Sequence, residues 1–541
     1  MDRLGLLERV MGDLVEGRPR LARAHALAAV VADPSPALSL AAVADFWLGD
    51  FAGGARHAGQ ALELADDDPA RALALAAAAL VATGDPADRC EERVLLAVDA
   101  GLAGERGGRW GTAVCYLATE AALVSARLDV ANRMLAVWPG PEREWAGHPL
   151  ALQAAACWAR LAIFTGRVDE ALALTSELRR PGESSRLAVL SHSVDCLVLG
   201  HAGHPEAMAA RQRVEEAVPV EPTDWVERGV LMLLAFGATA MGDTRAAAEL
   251  ILRAGGDAGL RRCTLIDRAL GLEVLLSAAL DEGDAVAAAA WVVQLEEIET
   301  HPISAPSVDR ALARALLAQG DLEAARARAL RSVAACREHE RLVEAADGEI
   351  VLAQVSIAAH DVASAVRGLR ATVTAADLSG HTSVRRRAAS TLGSVRRRLP
   401  PVVGAGWAAL SEREAEVARL ILGGADQAEI AQTLFLSPHT VRVHTSRVLC
   451  AFGVSTRVGL LAAAGYTPLA SDDVKPLPAL SPRQGEVVTL LAQGRSNAQI
   501  ASELGVSVKA VEKHVGDVRA RWGASSRFEV ARRWWGEQQR G

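Results

Sequence analysis

Over roughly the first 395 residues, apolar stretches of helical length alternate with short polar breaks, and the breaks share one chemistry. A glycine followed by a polar residue stands at Gly49-Asp50, Gly84-Asp85, Gly166-Arg167, Gly203-His204, Gly242-Asp243, Gly283-Asp284 and Gly320-Asp321, with degenerate copies at Arg127-Leu128-Asp129 and His360-Asp361. Successive marks lie about 35 to 43 residues apart, the length of one two-helix unit in a stacked array. In Leu316-Leu317-Ala318-Gln319-Gly320-Asp321-Leu322-Glu323-Ala324-Ala325 the glycine is placed to end one helix in a left-handed cap and the aspartate to begin the next. An alanine stands five positions after the mark at Ala171, Ala247, Ala288, Ala325 and Ala365, where a small side chain lets the two helices of a hairpin approach. The pattern predicts a rod or arc of such units, about nine in all, each burying surface against its neighbours.

The pattern changes at Leu410. Ser411 and Glu414 stand in the spacing of a capping box, and Gly424 ends the helix they begin. Gln427 to Leu434 forms a short amphipathic helix with Ile430, Ala431 and Leu434 inward, followed by a tight turn through Phe435 and Leu436. Ser437 caps a third helix with Pro438 at its first position, and a fourth helix covers 456–464. On the third, Val441 and Val448 share one face, while His439, Thr440, Arg442, Val443, Ser446 and Arg447 lie on the others, as a helix entering the major groove requires.

These four helices resemble the DNA-binding domain of the LuxR family, through Leu410, Arg413, Glu414, Val417, Gly424, Ile430, Ala431, Ser437, Thr440, Val441, His444, Gly453, Val454 and Arg457. The pattern recurs at a fixed offset, Leu480-Ser481 repeating Leu410-Ser411, with Arg483, Glu486, Val487, Gly494, Asn497, Ile500, Ala501, Ser507, Val511, His514, Gly523 and Arg527 in the family positions. The resemblance implies DNA contacts at Arg442, Val443 and Ser446, and at Ala510, Glu512, Lys513 and Gly516 in the second copy. There an acidic residue occupies a position that is usually basic in the family, although Lys509, Lys513, Arg519 and Arg521 keep the helix basic overall. The segment before Leu410 is similar to tetratricopeptide-like repeats without most of their aromatic and proline signature positions.

The expected fold is therefore all-α: a TPR-like helical-repeat solenoid over 1–399, a linker at 400–409, one helix-turn-helix domain at 410–465, a linker at 466–479 and a second domain at 480–536. The second linker, with Pro468, Pro476 and Pro478, is long enough to span roughly 45 Å at ~3.3 Å per residue. Two arginine triplets, Arg385-Arg386-Arg387 and Arg396-Arg397-Arg398, are weighed as phosphate contacts against solvated charge.

Composition narrows the function. Aromatics make up 4% of the chain, so its apolar half is mostly Ala, Leu and Val, which favours closely packed helices. A net charge of −8 argues against coating nucleic acid along the whole length, so DNA contact is local. Seven scattered cysteines (Cys90, Cys115, Cys157, Cys196, Cys263, Cys336 and Cys450) contain no CxxC pair, and neither a disulfide framework nor a metal site is expected. His444 and His514 each stand alone and are read as core or backbone-contact residues; His201-Ala202-Gly203-His204 is read as a surface loop. Met1-Asp2-Arg3 does not open a signal peptide, no apolar run spans a bilayer, and a cytoplasmic location is expected. No phosphate-binding GxxxxGK[ST] occurs, unlike the ATPase module of LuxR-family regulators similar to the maltose activator.

The reading is a bacterial, non-enzymatic, sequence-specific DNA-binding transcription regulator without a cofactor, controlled by what its repeats bind and acting as a single-chain pseudo-dimer on an asymmetric operator. Its candidate partners are double-stranded DNA, a protein, peptide or small effector on the repeats, RNA polymerase and a second copy of the chain, with no membrane. The competing reading is an interaction scaffold or regulator antagonist whose helix-turn-helix domains make protein contacts.

Overall fold

The computed structural model describes residues 9–14, 16–84, 91–103, 110–137, 151–178, 185–464 and 477–538. The N-terminal tripeptide, Asp85, Cys90 and, in the second linker, Pro468 and Pro476 lie outside them. The chain divides into two compact units, Met1–Arg398 and Leu399–Gly541. Among the described residues both contain helices and no strand, and no helix is long and apolar enough to cross a membrane.

In the first unit, consecutive helices pair as hairpins: Trp225–Met241 with Thr244–Gly255, Leu265–Glu282 with Ala285–Glu296, Ala305–Gln319 with Leu322–Glu338, and Leu342–Ala358 with Val362–Ser379. The marks make these turns. Gly242, Gly283 and Gly320 take left-handed caps, and Asp243, Asp284 and Asp321 accept hydrogen bonds from the first backbone N–H groups of the helices that follow. At the degenerate marks Ala126 and His360 adopt the same positive φ without being glycine. Turns that join one hairpin to the next escaped the pattern, among them those at Gly256 (φ 68°), Glu340 (φ 56°) and Gly380 (φ 77°). The five alanines after the marks are all buried, as close helix approach requires.

The unit departs from neighbour-only packing: Phe46 and Phe51 meet the Trp225 ring, and Asp129 donates its N–H to the His339 carbonyl (3.2 Å). His381 donates from Nε2 to the carbonyl of Ile163 (3.0 Å), and Arg386 donates to those of Ala240 (3.2 Å) and Met241 (2.7 Å). The Ala240 and Met241 carbonyls sit in the last turn of Trp225–Met241, where a helix has no partners of its own for them, and the Ile163 carbonyl, in the last turn of Ala151–Phe164, also accepts from the Gly166 N–H (3.2 Å). The late helices thus cap the early ones. The same seam holds His201, which is buried, meets the His381 ring edge-on at 5.4 Å and shares a hydrogen bond with Ser383 (3.2 Å). His201 is therefore no surface loop, and only His204 of that pair is exposed. The first arginine triplet is also occupied within this unit: Arg385 pairs with Asp377 and Arg387 with Asp347, so with Arg386 it is spent on packing rather than offered to phosphate.

Burial, aided by Arg387 nearby, pushes the His381 imidazole down to about 4 and burial carries His201 well below its usual range. The unfolded chain takes up protons on these groups near pH ~6.5, so between there and about 4 it binds more protons than the folded one. Stability of the first unit is therefore expected to fall as pH drops through that window. Its urea midpoint should decline between about pH 7.5 and pH 5, and less steeply in His381→Gln. An equal decline in both proteins would clear His381 of the effect.

Candidate nucleic-acid interface

The second unit holds two four-helix domains in register. The first comprises Glu412–Leu422, Gln427–Leu434, Pro438–Ala451 and Arg457–Ala463; the second, Pro482–Ala492, Asn497–Leu504, Val508–Trp522 and Arg527–Gln538. Local sequence dictates each start: Ser411 with Glu414, Asp426 with Glu429, Ser481 with Gln484 and Ser496 with Gln499 all form complete capping boxes. Ser437 and Ser507 cap the third helices through the N–H groups of Thr440 and Ala510.

Between the second and third helices the chain turns through a left-handed residue, Gly505 (φ 64°) in the second domain and Phe435 (φ 53°) in the first. Arg413 and Arg483 fasten this turn, each donating to the carbonyl that ends the second helix, Leu434 or Leu504, while pairing with Glu416 or Glu486. That role was missed from sequence alone. Its signal was the shared Arg-x-x-Glu at both offsets.

On Pro438–Ala451, Val441 and Val448 are fully buried in the domain core with Ile421 and Ile430. His439, Arg442, Val443 and Ser446 are exposed on the opposite side, and Thr440 is half-buried, its hydroxyl 2.8 Å from that of Ser437. Arg447 is placed differently from its neighbours. Its guanidinium pairs with the buried Glu414 carboxylate and donates to the Leu399 carbonyl (2.9 Å), so it ties the third helix to the first. On Val508–Trp522, Val511, Val515 and Val518 are buried, while Lys509, Glu512, Lys513, Gly516 and Arg519 are exposed and Ala510 is half-buried. Arg519 is partly committed, donating to the Ser525 carbonyl (2.6 Å). The first surface carries Arg442 with no described carboxylate partner; on the second, Glu512 stands between cations. His444 and His514 occupy matching half-buried places, each with Nδ1 turned inward.

The two domains share their packing, and the sharing is reciprocal. Val458 and Leu461, from the last helix of the first domain, are buried in the core of the second. Phe528, from the last helix of the second, packs against the core of the first. Gly494, at the end of the second domain's first helix, lies so close to Gly459 that a Cβ there would sit 2.7 Å from its Cα, and Gly424, at the matching position, lies against Arg532. A contact and its mirror between like elements is the mark of a two-fold arrangement. Among the described residues no group of three His, Cys, Asp or Glu is arranged to hold a metal ion.

This geometry defines a duplicated helix-turn-helix module with an exposed third helix in each copy. Residues 408–464 and 478–534 both match the family described as bacterial regulatory proteins, luxR family, so the C-terminal unit consists of two LuxR-family domains in tandem. A 56-residue stretch of the chain is 39% identical to HTH-type transcriptional regulators from Mycobacterium bovis and from two strains of Mycobacterium tuberculosis. That match covers 10% of this chain and 6% of each relative.

Proposed function

We propose that the protein is a sequence-specific DNA-binding transcription regulator whose two helix-turn-helix domains act as a pseudo-dimer within one chain, under the control of a ligand or protein bound by the helical repeats. The observation that carries the reading is the exposed Arg442 on a third helix whose other face is locked into the core, since an unengaged guanidinium is suited to paired acceptors on guanine. Val443 and Ser446 complete the first reading surface; Lys509, Lys513 and Gly516 form a second, dissimilar one. The reciprocal packing through Val458 and Phe528 supports the pseudo-dimer, because it holds two reading helices together without a second chain. Glu512 makes the surfaces unlike, so the operator is asymmetric.

Arg442→Ala is expected to weaken binding to a specific site by about 1 to 3 kcal/mol while leaving non-specific affinity nearly unchanged. Sites come from genome-wide occupancy of the intact protein, and titration at two salt concentrations separates base reading from phosphate attraction. Equal losses on specific and random DNA would make Arg442 a phosphate contact. The absence of discrete occupancy peaks would favour the scaffold reading, to which the exposed Glu512 lends its weight, and a palindromic site bound by two chains would reject the pseudo-dimer.

A further inference from the structure

The first unit holds a partly open cavity of about 750 Å³, adjoined by a second of about 340 Å³ that shares Val124, Arg160, Leu233 and Asp267 in its wall. The larger volume falls within the range of small-molecule sites. Phe164, Phe236, Leu270 and Val274 turn an apolar face into it.

Charge in this wall is almost entirely paired. Arg160 is matched by Glu120, Arg310 and Arg314 by Glu273, Arg341 by Glu344, and Arg387 by Asp347. Of the other carboxylates, Glu227 holds the N–H and hydroxyl of Thr223, and Asp281 is exposed. Asp267 differs from all of them. It lines both cavities, and its carboxylate accepts one hydrogen bond, from the Thr264 hydroxyl at 2.8 Å, with no cation at ion-pair distance among the described residues. Burial pushes its carboxyl up to about 6, against the hydrogen bond from Thr264 and the attraction of Arg160. An interior carboxylate without a countercharge costs free energy that a bound cation recovers.

We infer that this cavity binds an amphipathic amine, its ammonium on Asp267 and its apolar body along Phe164, Phe236, Leu270 and Val274. Asp267, Leu270 and Val274 lie on one side of Leu265–Glu282, and seven residues of helix set the apolar reach at roughly 10 Å from the carboxylate. A neutral polyol leaves the Asp267 charge unmatched, and an organic anion opposes it. The inference rests on the reading of the repeats as the effector-binding part, and names the chemistry they take.

Dansylcadaverine, a primary amine on an apolar fluorescent ring system, serves as the probe, with its N-acetyl derivative as the uncharged control. With the full-length protein, the amine is expected to bind with one-to-one stoichiometry at least about tenfold more tightly than the acetylated form, the discrimination a buried ion pair provides. Asp267→Asn should abolish the difference, and Leu270→Trp, which fills the lumen, should abolish binding of both. Equal affinity of the two probes for the unmodified protein, or a preference that survives Asp267→Asn, would overturn the inference. The comparison of probes on the unaltered chain decides the matter even if Asp267→Asn does not fold. Binding is measured without DNA, so a negative result leaves the regulator reading intact; amine binding that leaves DNA affinity unchanged upholds the site and counts against effector control.

Discussion

Glu344→Leu is expected to destabilise the first unit by about 3 to 5 kcal/mol, the usual cost of stranding a buried charge. Glu344 accepts two hydrogen bonds from Arg341 (both 2.7 Å), one from Ser307 (2.9 Å) and one from Arg310 (3.1 Å). Arg310 also grips Glu273 through Nε and Nη2, and Arg314 reaches the same carboxylate. Three guanidinium groups thus share two carboxylates across three successive hairpins. Arg310 and Arg341 are each 2% exposed or less, so neither has water to fall back on. Losing Glu344 leaves Arg341 with only Ser307 and the Ile303 carbonyl. Burial alone would raise the Glu344 carboxyl, but Arg341 and Arg310 outweigh it and hold it at about 2. Its contribution is accordingly full above its unfolded value of roughly 4.3 and is lost only as pH falls towards 2. Urea denaturation followed by circular dichroism measures the loss. The double variant Glu344→Leu with Arg341→Leu should recover part of it, because no unmatched cation remains. A single-variant loss below about 1 kcal/mol would mean that water reaches the network and screens it.

The second large effect is expected at the junction of the two helix-turn-helix domains. Gly424 and Gly494 are matching residues with φ of +99° and +89°, so alanine at either position incurs the left-handed penalty of about 1 to 2 kcal/mol. They differ in what the new methyl meets. At Gly424 it meets the end of the Arg532 side chain at 2.8 Å, which can swing aside; at Gly494 it meets the Gly459 backbone at 2.7 Å, which cannot. Gly494→Ala should therefore cost about 1 to 3 kcal/mol more than Gly424→Ala, the range for overpacking a close contact. It should also loosen the burial of Val458 and Leu461 and shorten the DNase footprint to that of one domain. Hydrogen exchange at the amides of Arg457–Ala463 reports the loosening directly. Equal costs for the two glycines would show that the domains part without resistance and that their contact contributes little.

Local features of the fold were legible in sequence because they are made by residues a few positions apart. Gly320 followed by Asp321, or Ser411 three residues before Glu414, carries its own hydrogen-bond partners, so the turn or cap forms wherever the sequence goes. The buried face of Pro438–Ala451 follows likewise from Val441 and Val448 lying two helical turns apart, and it leaves Arg442 exposed by elimination. Where a side chain had a partner far along the chain, the same reasoning assigned it to solvent or to DNA. Arg386 looked like free basic charge and caps a helix that ends 145 residues earlier; Arg447 looked like part of a reading surface and closes on Glu414.

By itself, then, the sequence determined a run of helical hairpins followed by two copies of one helix-turn-helix domain, since helix periodicity, caps and the offset between copies are properties of neighbouring residues. Tertiary structure decided which charges remain available. The seam at His381, the matched arginines around the cavity with Asp267 left over, and the core shared through Val458 and Phe528 each depend on bringing together groups from separate helices. A polar group is satisfied by whatever lies nearest in space, and the order of residues along the chain does not record that distance.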